Sequence, residues 1–78
     1  MHDLIPLAQL HVGARAAVDC VLGRPDDVHR LEELGLRAGT AVEMVQPGTP
    51  CIIRLSGNKL CIRADDLLSV LVRPESAT

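Results

Sequence analysis

The chain has 78 residues, 47% of them hydrophobic, a formal net charge of −2, and no Phe, Tyr or Trp. This length makes one small domain whose core must come from Leu, Ile, Val, Ala and Met. The composition excludes the aromatic platforms used to bind single-stranded nucleic acid or proline-rich peptides, and the mild acidity gives no general attraction to nucleic acid or an anionic membrane.

The first residues, Met1-His2-Asp3-Leu4, lack the basic region and long apolar segment of a signal peptide. Leu4, Leu7 and Leu10 are spaced as a short helical turn, with Pro6 near its start. A strand is expected over about residues 14–22, with Ala16, Val18, Cys20 and Leu22 on one face. Gly23-Arg24-Pro25 breaks it. Val28, Leu31 and Leu34 then lay an apolar stripe along a helix. Asp26 and Asp27 stand at its start, one of them as the expected N-cap.

Gly35 falls where a helix ends in a left-handed residue, which pairs Leu36 with Leu31 as in a Schellman ending. Arg37-Ala38-Gly39-Thr40 reads as a type II turn with Gly39 at the positive-φ position. A second strand runs from about Thr40 to Gln46, with Val42, Met44 and Gln46 on one face. Pro47-Gly48-Thr49-Pro50 is a loop. Residues 51–63 form a hairpin around a Gly57-Asn58 turn of II′ type, pairing Leu55 with Leu60 and Ile53 with Ile62. A helical turn from Ala64 to Leu68 and a strand from Ser69 to Arg73 follow. Residues 1–74 thus read as a single domain and 75–78 as a flexible tail. The fold class is mainly β: a small, partly closed antiparallel barrel of about five strands, with one short central helix and short helical turns near both ends.

Side chains that carry chemistry are dispersed. Three cysteines, an odd number, argue against a disulfide framework. Alternation puts Cys51 and Cys61 on opposite faces of the hairpin, so they do not share a metal, and Cys20 and Cys51 read as small core residues. Asp26, His29 and Glu33 share a helix face that holds a divalent ion only weakly, so no dedicated metal site or cofactor is expected. No G-x-S-x-G run or phosphate loop occurs, and catalysis is not expected. Residues 51–63 carry Arg54, Lys59 and Arg63 without an acid, while the helix region is acidic. The strongest apolar run, Leu67 to Val72, is six residues, far below the ~20 needed to span a bilayer. A cytoplasmic location with reduced thiols is the expectation.

The run Arg30-Leu31-Glu32-Glu33-Leu34-Gly35-Leu36-Arg37-Ala38-Gly39-Thr40-Ala41-Val42 resembles the Arg-Leu-x-x-Leu-Gly-Leu-x-x-Gly-x-x-Val pattern of the FeoA family. The leucine-rich opening from Leu7 to Gly13, the late hairpin with Gly57 and Leu60–Arg63, and the closing Val70-Leu71-Val72 fall in that family's order. Ala38 stands where the family often has proline, at a turn position alanine also tolerates. The resemblance spans about residues 4–73 and implies an SH3-like barrel. It also implies a non-catalytic accessory protein of bacterial ferrous-iron transport that binds FeoB, the membrane transporter with a cytosolic G-protein domain. Leu34, Leu36 and Arg37 at the helix tip are the expected docking residues, with Gly35, Gly39 and Gly57 there for shape. Nucleic-acid binding and insertion into the membrane are not expected, and the oligomeric state is left open. The alternative reading is a free-standing metal-sensing module, similar to the C-terminal domain of iron-dependent repressors.

Overall fold

The computed structural model describes residues 4–48 and 50–75. Its strands are β1 (Ile5–Pro6), β2 (Arg15–Val21), β3 (Ala41–Gln46), β4 (Cys51–Leu55), β5 (Asn58–Ile62) and β6 (Val70–Pro74). A 3-10 turn, Leu7–Gln9, follows β1; helix α1 is Pro25–Glu33 and helix α2 is Ala64–Leu67. All pairings are antiparallel, in the order β1-β6-β2-β3-β4-β5. The strand beyond the five expected is β1, whose two residues pair with Leu71 and Val72 of β6. Two residues are too few to show a period-2 pattern. Met1–Asp3, Thr49 and the tail residues 76–78 lie outside the described part of the chain. Glu75, expected in the loose tail, donates its backbone N–H to the Arg15 carbonyl at 3.0 Å and extends the β2–β6 edge.

One core collects the inward side chains: Leu7 and Leu10, Ala16 and Val18, Leu31 and Leu36, Val42 and Met44, Cys51, Ile53 and Leu55, Ile62, Leu67, Val70 and Val72. Burying this aliphatic surface supplies the main folding drive of so small a domain. Two bulges interrupt the expected alternation. In β2 the register with β6 shifts between Val18 and Cys20. The extra residue reverses the faces beyond it: Cys20 is only half-buried, Leu22 is exposed, and Val21 packs on the core instead. In β3 the register with β4 shifts between Met44 and Gln46, so Gln46 leaves the buried face of Val42 and Met44 and is exposed.

The β4–β5 hairpin turns one residue earlier than expected. Leu55 pairs with Asn58 and Ile53 with Leu60, so Ser56 and Gly57 form the turn. Both have positive φ, 38° and 90°, as a type I′ turn demands and as suits the strand twist. The pairing differs from the expected one by two residues, so every side chain keeps its face: a slip of one residue inverts a strand, a slip of two does not. At the other junction α1 begins at Pro25 with Arg24 as N-cap, and no side chain caps it. Proline fixes the helical φ and has no N–H to leave unpaired, so it takes the first helical position. Asp26 and Asp27 therefore lie inside the first turn, where the helix dipole still favours them. The Arg30 guanidinium ties α1 to α2 by donating to Asp66 at 3.1 Å, with Asp27 3.8 Å away.

Candidate docking groove

The C-terminal end of α1 closes in a Schellman motif. Leu36 N–H donates to the Leu31 carbonyl and Gly35 N–H to the Glu32 carbonyl, both at 3.0 Å. Gly35 has φ 110°, a conformation that places a Cβ against backbone in other residues. The motif turns the chain so that Leu36 meets Leu31 inside the core, at 0% and 1% exposure. The expected turn follows, with Thr40 N–H donating to the Arg37 carbonyl at 3.0 Å and Gly39 at φ 91°. Two more bonds stitch this corner to β2: Gly39 N–H to the Val18 carbonyl at 2.7 Å, and Val18 N–H to the Thr40 carbonyl at 2.9 Å. The corner is thus a rigid platform with its backbone polar groups spent on the sheet.

Between this corner and the β4–β5 hairpin lies a groove of about 330 Å³. Leu34, Leu55 and Leu60 give it apolar walls; Arg37 and Lys59 stand at its rim; no carboxylate of the described residues lines it. Leu34 keeps 46% of its surface in solvent. The Arg37 Nε donates to the Glu32 carbonyl at 3.0 Å, which fixes the guanidinium and leaves its terminal nitrogens available. Lys59 faces Arg54 across the hairpin, a like-charge pairing that costs stability. Arg54 is offset by Glu43 at 3.3 Å, whereas no carboxylate among the described residues stands within 4.0 Å of Lys59 or Arg37.

Of the docking residues expected at the helix tip, Leu34 and Arg37 line this groove. Leu36 does not: it is buried as the partner of Leu31, because the Schellman turn carries that side chain inward. Leu55, Leu60 and Lys59 are not among the docking residues expected from the sequence; the acid-free stretch 51–63 is the sequence signal that points toward them. On the outer face of α1, His29 Nδ1 and Glu33 Oε1 are 3.8 Å apart and both exposed. Asp26 does not complete a set with them, and among the described residues no three His, Cys, Asp or Glu side chains form a metal-binding group. Cys51 is buried, as expected, with its Sγ 3.7 Å from Met44 Sδ; Cys61, on the opposite face, is exposed, and Cys20 is half-buried and not a core residue. Burial pushes the Cys51 thiol up from its ordinary pKa, and Cys61 adds to the effect.

A coiled antiparallel sheet, one central helix and an acid-free groove define a small SH3-like barrel with a candidate docking surface. The FeoA domain family matches residues 5–74, and the chain belongs to that family. The crystal structure of an iron uptake regulatory protein, FeoA, superposes with a TM-score of 0.87 at 24% identity, covering 94% of this chain and all 100% of that one. FeoA of Stenotrophomonas maltophilia, solved in complex with zinc and described as a prokaryotic SH3 domain protein, is 26% identical with a TM-score of 0.73. That match covers 92% of this chain and 88% of the relative. IdeR of T. acidophilum shares the fold at 16% identity and a TM-score of 0.85; the match covers 92% of this chain but 34% of IdeR. No curated protein matches the chain significantly. Among the described residues no helix is long and apolar enough to cross a membrane.

Proposed function

We propose that the protein is a non-catalytic, cytoplasmic accessory factor of bacterial ferrous-iron uptake that acts by docking on the cytosolic part of a FeoB-type transporter. Membership of the FeoA family across residues 5–74 carries this reading. The groove supports it, since it sets a fixed arginine, a residue type enriched among interaction anchors, beside exposed apolar surface of Leu34. Affinity capture of the tagged protein from solubilised membranes of its source should retain a FeoB-type transporter. Failure to retain it under conditions where the protein stays folded would overturn the reading.

The second reading, a free-standing metal-sensing module, draws on the fold shared with IdeR. It stands second because the candidate ligands Asp26, His29 and Glu33 form no metal-binding group. Titration with zinc or ferrous ions, followed by amide shifts, separates the two: tight saturation at one site favours the sensor.

A further inference from the structure

We propose that the groove accepts an extended, acid-bearing apolar segment of the partner, added along the free edge of β5 with its carboxylates on Arg37 and Lys59; this rests on the docking reading above. Three observations carry it. The first is charge: the groove rim holds two cations without a carboxylate partner among the described residues, over walls made by Leu34, Leu55 and Leu60. A fixed guanidinium of this kind is already ordered for a bidentate carboxylate, so binding costs less rotamer freedom.

The second is the strand. Three successive residues, Asn58, Lys59 and Leu60, line the same wall. Successive side chains of a strand point to opposite faces, so β5 meets the groove edge-on. Among the described residues it is the terminal strand of the sheet, paired only with β4. The third is the register. Leu55 and Asn58 flank the two-residue turn as a hydrogen-bonded pair, so Lys59 and Cys61 are the β5 residues whose backbone groups point away from β4. Neither N–H has a backbone acceptor among the described residues. A partner strand satisfies these groups while its alternate side chains enter the apolar groove.

The experiment uses the full chain and overlapping peptides covering the cytosolic part of the FeoB-type transporter, with intact transporter in parallel. The expected binding peptide alternates apolar residues with Asp or Glu. On binding it slows amide hydrogen exchange at Lys59 and Cys61. Arg37→Glu and Lys59→Glu should each weaken it by about tenfold, and changing only the peptide acid that faces the substituted position to lysine should recover binding to that variant. Transporter that binds both variants as tightly as the parent overturns this inference and leaves the docking reading standing. Transporter that binds neither parent nor variant overturns both. Binding of a helical peptide, of anionic vesicles alone or of a second copy of this chain in place of a transporter segment also overturns it.

Discussion

The two ends of α1 are held by different physics. At the N-terminal end Pro25 starts the helix, Asp26 and Asp27 face solvent, and no side chain caps the backbone. At the C-terminal end every structural device is internal: two Schellman hydrogen bonds, a left-handed glycine, a buried leucine pair and two bonds to β2. The solvated end can change without consequence for the core, while the packed end sets the position of the groove. The lesson is that the surface residues Leu34 and Arg37 are placed by the buried residues Leu31 and Leu36 between and beside them.

The contrast is sharpened first at Leu36. Leu36→Ala removes a fully buried side chain and should cost about 2–5 kcal/mol, lowering Tm by more than about 10 °C in a domain of this size. A loss below about 1 kcal/mol in chemical denaturation would show that the packed end is not part of the core. Next, Gly35→Ala forces a Cβ into φ 110° and within 3.2 Å of Leu55 Cδ1. It should destabilise by about 1–2 kcal/mol; an unchanged melting temperature would mean that the helix does not end at Gly35. At the solvated end, Asp26→Asn with Asp27→Asn should cost about 0.3–1 kcal/mol at low ionic strength, less in high salt, through the helix dipole and the exposed Asp27–Arg30 pair. Arg37→Glu should move stability by less than about 0.5 kcal/mol, since its contacts are on the surface, and be felt in binding instead. A large fall in Tm there would make Arg37 a structural residue.

Alkali offers a test of the core on which the packed end rests. The folded-state pKa of Cys51 is raised above its ordinary 9.0, so above that pH the unfolded chain loses a proton that the folded chain keeps. The folded state then binds more protons, and stability falls as pH rises beyond about 9. Cys51→Val should flatten this part of the pH–stability curve measured by urea denaturation.

The groove was partly legible before the fold was known. Leu34 and Arg37 could be placed at a helix tip because the Gly35 and Gly39 spacing fixes where the chain turns. The same spacing paired Leu36 with Leu31, and that pairing, with Leu31 in the core, draws Leu36 inward and away from the groove. The hairpin was legible as a pair of apolar faces but not in the position of its turn: Gly57 serves as the second residue of a I′ turn or the first of a II′ turn, and both suit the strand twist.

Local chemistry in the sequence determined the helix stop at Gly35, the turn at Gly39, the hairpin and the aliphatic character of the core. Each rests on neighbours along the chain, where backbone sterics and side-chain period act directly. Tertiary structure alone decided the two bulges, the pairing of β1 with β6, and the meeting of Leu34 and Arg37 with Lys59 and Leu60. Those features join residues far apart in the chain. Their geometry follows from closing one sheet over one core, which no local pattern specifies.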